Sequence, residues 1–220
     1  MPSSRIALLG LAALSLTGAA QAGTYSTLGK TLKLQPPPEY CELGDTQREQ
    51  TLRQLQQRNM AQVGELAQVV VPCTELKAYK DGKIDNFSRW AQVLVSKRQG
   101  VLTLVTISRE EFIQKTANGT AKPVDLAEVN RRVREHLSGT GGTVSMSGAQ
   151  PIGSTKQAFF IEGRLVTETN GKSSPLAFIG AATVVNQLPI LVQVYVTPKA
   201  TGASALETAT AYVDSLLSKN

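Results

Sequence analysis

One histidine, two cysteines and a few acidic, basic and glycine clusters are the groups of this 220-residue chain from which a reactive centre could be assembled. A nucleophilic triad needs a base beside its nucleophile. The sole imidazole, His136, falls in the last turn of a predicted helix, where a histidine complements the helix dipole as an ordinary surface residue. One histidine and two cysteines also fall short of a zinc site. Asp81-Gly82-Lys83-Ile84-Asp85-Asn86 offers oxygen ligands, but it lacks the alternate spacing and distal glutamate of a calcium loop. Gly139-Thr140-Gly141-Gly142 superficially matches a phosphate cradle, yet a predicted helix precedes it and a strand follows, the reverse of the order that aims N–H groups at an anion. Glu110 and Glu111 are adjacent, and adjacent helical side chains diverge by about 100°. No catalytic residue, metal site or cofactor is expected.

Three further features remain to be placed. Arg131, Arg132 and Arg134 form the densest basic cluster, on the polar side of a predicted helix, where they are either a solvated face or a contact patch. Trp90 lies in a predicted strand with apolar neighbours and reads as core. Asn118-Gly119-Thr120 is formally a glycosylation acceptor, with meaning only in a eukaryotic secretory route.

The chain is 41% hydrophobic and 18% charged, which excludes a disordered chain, a collagen-like repeat and a disulfide-dense miniprotein. Its first 22 residues read as a cleaved signal peptide. Arg5 is the only charge there, and Ile6 to Leu16 is an apolar run too short for a permanent span of about 20 residues. Ala20 and Ala22 supply the small side chains that a signal peptidase accepts, which places the mature N-terminus at Gly23. The alternative is an uncleaved anchor. Loss of Arg5 lowers the formal charge from +6 to +5, which suits anionic lipid or wall polymers as well as plain solubility. Export disfavours nucleic acid as a partner. In an oxidising compartment Cys41 and Cys73 allow one intrachain disulfide, against free buried thiols or a redox pair that lacks a Cys-x-x-Cys spacing.

The elements that must position these groups are readable from period and caps. Thr46-Gln47-Arg48-Glu49, Ser108-Arg109-Glu110-Glu111, Asp125-Leu126-Ala127-Glu128 and Ser204-Ala205-Leu206-Glu207 each open a predicted amphipathic helix. The first carries Leu52, Leu55, Val63 and Leu66 as its stripe, and the third carries Leu126, Val129, Val133 and Leu137. Strands are predicted near 28–34 and over 67–71, 87–95 and 101–107, around Val144 and Met146, and over 158–169, 176–185 and 189–197. Asn170-Gly171 and Asn186-Gln187 mark hairpin turns. The sum is an α+β fold, an antiparallel sheet of about six strands flanked by helices, as a single domain over residues 23–220.

The succession from Phe159 through Asn170-Gly171, Val184-Val185-Asn186 and Val194-Tyr195-Val196 to the helix ending at Leu217 is similar to the PsbP-like fold. Extrinsic photosystem proteins, DcrB-like periplasmic proteins and several small secreted modules share that fold. Pro38-Glu39-Tyr40-Cys41-Glu42-Leu43 and Pro72-Cys73-Thr74-Glu75-Leu76 also resemble segments of uncharacterised secreted bacterial proteins, in which a glycine often stands in place of Glu39. The resemblance carries over no functional residue. It implies binding or stabilising a partner rather than catalysis.

The expectation is a non-catalytic exported protein, periplasmic or secreted, without an integral membrane segment in its mature chain. It binds an unnamed protein or envelope component. The alternatives are an exported hydrolase with carboxylates drawn from distant positions, and a small-ligand or lipid carrier.

Overall fold

Ile190, Val192 and Val194 alternate with Leu191, Gln193 and Tyr195, and this period of two gives the central sheet its two faces. The computed structural model describes residues 23–119, 127, 130–131, 142–169, 172–200 and 204–220. Its elements begin with β1 (Gly23–Thr27), β2 (Lys30–Leu34), β3 (Tyr40–Glu42), α1 (Gln47–Met60) and β4 (Gly64–Pro72). Next come α2 (Cys73–Lys80), β5 (Arg89–Arg98), β6 (Val101–Leu102) and α3 (Arg109–Gly119). The C-terminal part adds β7 (Gly142–Ser154), β8 (Phe159–Thr169), β9 (Lys172–Val185), β10 (Leu188–Val196) and α4 (Ala205–Lys219).

An antiparallel sheet runs in the order β3-β4-β5-β10-β9-β8-β7, with β6 paired to β5 as its eighth strand, while β1 and β2 form a separate hairpin. The expected α+β architecture is therefore present, with more strands than the six anticipated. On one face Val70, Val93, Ile190, Val192 and Val194 pack against Leu32 and Leu34 of the hairpin and against Ala209, Tyr212, Val213 and Leu216 of α4. On the other face Val69 and Val71 join Leu43, Leu76, Tyr79 and Phe87 beneath α1 and α2. α3 packs across β7, β8 and β9.

Cross-strand register aligns Gly163, Phe178, Tyr195 and Trp90 in one row over four strands. Trp90 stacks on Tyr195 with ring centroids 4.9 Å apart, and Phe178 tilts against Tyr195 at 6.0 Å. Trp90 thus belongs to the aromatic packing, as its neighbours predict. Gly163 ends the row because a Cβ there would run into the Phe178 ring and lie 2.8 Å from the Gly148 carbonyl.

Several expectations needed correction. The segment near 28–34 is a hairpin, because Leu28 (φ 50°) and Gly29 (φ 70°) turn the chain back. Val63 and Leu66 do not extend the first helix: α1 ends at Met60, and β5 captures the chain from Gly64 onward, so Leu66 lies in β4. The predicted elements leave 73–80 unassigned, and these residues form α2, with Pro72 at its N-cap. The strand predicted over 101–107 stops at Leu102 because β10 pairs with β5 from Val95 and leaves no free edge. Val105 N instead donates to Gln187 O at 2.8 Å.

The helix predicted from Asp125 lies largely outside the described residues, with Leu126, Val129, Val133, His136 and Leu137. Ala127, Asn130 and Arg131 are helical. The Asn130 amide acts as a substitute strand for edge strand β7, accepting from Met146 N at 2.6 Å and donating to Met146 O at 2.9 Å. Asn170 and Gly171 are also outside the described residues, though Thr169 pairs with Lys172 on either side of them.

The structure joins Cys41 to Cys73 with Cα atoms 4.9 Å apart and 32 residues of sequence separation. The bridge ties β3 to the start of α2, beside the Tyr40–Pro72 pair and the Cys73 N to Glu39 O bond of 2.9 Å. Changing both residues, Cys41→Ser with Cys73→Ser, is expected to lower unfolding free energy by about 2–4 kcal/mol by freeing the unfolded chain. Circular dichroism should still show the sheet. An unchanged denaturation midpoint would contradict this.

Candidate functional site

The sequence of α1 alternates leucines with arginines and glutamines, so one side packs and the other presents donors. Its start is fixed by the Thr46–Glu49 capping box. Glu49 is fully buried and accepts from Gly44 N at 2.8 Å, Thr46 N at 3.2 Å and Thr46 Oγ1 at 2.5 Å. Lys80, at the end of α2, approaches it at 3.3 Å. Burial alone would raise the Glu49 carboxyl, but the Thr46 hydroxyl, the two N–H groups and Lys80 outweigh it and hold its pKa below the usual carboxylate value. Arg48 lies 4.0 Å over the Tyr79 ring and donates to Tyr79 O at 2.8 Å and Asp85 Oδ1 at 2.5 Å. These contacts set the rotation of α1 about its axis.

That rotation aims Arg53, Gln54, Gln57 and Arg58 toward β4, where together with Leu66 they line an open groove of about 530 Å³. Arg53 is held by the Leu43 carbonyl and by Glu42 Oε1 at 3.5 Å, while its Nε is buried without a partner. Gln57 Oε1 accepts from Leu66 N at 3.1 Å, which fixes one wall. Among the described residues no carboxylate pairs with Arg58. Guanidinium and amide groups in this arrangement can donate to carboxylate or phosphate oxygens. None of the five lining residues is a nucleophile or a general base at neutral pH.

Glu42 and Glu65, on β3 and β4, each lie inside a separate hydrogen-bond network. Glu42 Oε2 accepts from Gln68 Nε2 at 2.7 Å, and the Tyr212 hydroxyl donates to Gln68 Oε1. Tyr25 donates to Glu65 Oε2 at 2.6 Å. Burial, then Glu42, raises the Tyr212 phenol; burial and Glu65 raise Tyr25; burial raises Tyr195. All three stay protonated at neutral pH and act as donors. No group of three or more histidine, cysteine, aspartate or glutamate side chains that could hold a metal exists among the described residues.

Of the residues singled out from sequence, Cys41 and Cys73 come together and Gly23 opens β1. Arg131 is helical and exposed. Arg132, Arg134, Ala20 and Ala22 lie outside the described residues. Spacing alone does not bring the groove residues together, because it places Leu66 on the helix that in fact faces it. Their one signal was the glutamine- and arginine-rich side of α1. No protein-family model matches the chain, and no curated protein matches it significantly. No described helix is long and apolar enough to cross a membrane.

Glu49→Gln is expected to destabilise the fold at neutral pH by about 1–3 kcal/mol, since an amide cannot accept at every contact. The Glu49 contribution is complete above the unfolded-state pKa of about 4.3 and is lost as pH falls through the lower folded value. The gap between wild type and variant, followed by urea melts, should therefore close under acid. A gap unchanged down the acid limb would contradict the role given to Glu49.

Proposed function

We propose that this is an exported, non-catalytic binding protein of the PsbP-like kind, periplasmic or secreted, whose α1–β4 groove takes an anionic envelope component. The observation that carries the reading is the convergence of Arg53, Arg58, Gln54 and Gln57 on one open groove. Such a set of donors suits carboxylate or phosphate groups on a chain lying along α1. Export is supported by the apolar leader ending in Ala20-Gln21-Ala22 and by the Cys41–Cys73 disulfide.

The test is affinity capture from envelope extract with the bound species identified, over a series of salt concentrations. The captured species should carry carboxylate or phosphate groups and elute as salt rises. Arg53→Ala with Arg58→Ala should reduce its recovery by about tenfold or more. Equal recovery by wild type and the double variant would overturn the assignment of the groove.

A further inference from the structure

Among the described residues, most large apolar side chains left exposed gather at one end of the sheet. Val63 precedes β4, Val101 opens β6, Leu104 follows β6, and Leu28 tips the β1–β2 turn; they are 40%, 61%, 39% and 45% exposed. Backbone contacts place them side by side. Lys97 N donates to Val63 O at 2.8 Å, Arg98 pairs with Val101, and Val105 N donates to Gln187 O at 2.8 Å in the β9–β10 turn. Asn186 of that turn donates to Thr31 O at 2.9 Å, beside the β1–β2 turn. The four apolar residues therefore form one row of turn tips at this end of the sheet.

Cations border the row. Arg98 is exposed in the β5–β6 hairpin, Lys30 flanks the β1–β2 turn, and Lys97 Nζ donates to the Ala61 carbonyl at 2.9 Å. Among the described residues, carboxylate side chains at this end include Glu65, which accepts from Tyr25, and Glu110 and Glu111 in the first turn of α3. Glu111 is ion-paired to Lys115 at 2.9 Å. Apolar tips bordered by cations are complementary to an anionic lipid surface, which takes apolar groups at headgroup depth and attracts cations beside them.

We infer that this end of the sheet docks on an anionic lipid bilayer. Val101, Leu104, Val63 and Leu28 enter the headgroup layer, and Lys30, Lys97 and Arg98 lie against lipid phosphates. The docking residues are not among those lining the α1–β4 groove, so docking extends the binding reading without depending on it.

Co-sedimentation tests this with protein purified from cells expressing the full-length chain, so that it carries whatever N-terminus processing leaves. Vesicles of equal parts phosphatidylglycerol and phosphatidylcholine are compared with pure phosphatidylcholine. The protein should sediment with the anionic vesicles only and be released by salt. Val101→Asp and Arg98→Glu should each weaken binding by about tenfold. Ile152→Asp, at a comparably exposed apolar residue on edge strand β7, should leave it unchanged. Thermal melts of the variants verify folding. Absence of binding, equal binding to neutral vesicles, or binding unaltered by both patch changes would overturn the inference. So would self-association that Val101→Asp abolishes, since that would mark the row as a face between copies.

Discussion

The pairing of β5 with β10 holds the two parts of the main sheet together. Seven consecutive pairs, from Ile190 with Val95 to Val196 with Arg89, join strands about 100 residues apart in the chain. On one side of that seam lie β3 and β4 with α1, α2 and the disulfide. On the other lie β9, β8 and β7 with α3. Val93, Val95, Ile190, Val192 and Val194 are buried at the seam on the α4 face. On the opposite face Gln92 Nε2 donates to Gln193 Oε1 at 2.7 Å, and Trp90 stacks on Tyr195. Closing a loop this long is costly in chain entropy, so the apolar area buried at the seam must outweigh it.

Both proposed surfaces follow from the seam. The groove has α1 as one wall and β4 as the other, and β4 is held in place by β5. The apolar row exists because β6 is turned away where β10 takes over the edge of β5, leaving Val101 and Leu104 at the end of the sheet. α4 then locks the arrangement. Its Tyr212 reaches Gln68 on β4, and its terminal Asn220 both accepts from Lys33 N at 2.8 Å and donates to Lys33 O at 3.0 Å on β2.

What could be read in advance was whatever a short stretch of chain decides for itself. The Thr46 and Ser204 boxes opened helices where expected, because a cap is a contact between residues three apart. Asn186 and Gln187 turned at φ 50° and 67° because the β9–β10 hairpin demands positive φ there. What could not be read depended on distant competition. Leu66 fits a helical stripe by spacing, but β5 claims it as a strand residue. Val101 to Ile107 is rich in β-branched residues, but the edge it would extend belongs to β10. The groove and the row of turn tips are likewise products of tertiary pairing, and no spacing within one segment encodes them.

Native-state hydrogen exchange, resolved by peptide, reads the seam directly. Amides of Ala91–Val95 and Ile190–Val194 should be the slowest to exchange and should share one opening free energy, equal to that of global unfolding. If β9 and β10 stayed protected while β4 and β5 opened at lower free energy, the two parts of the sheet would be independent units. The account of a single seam governing both surfaces would then be contradicted.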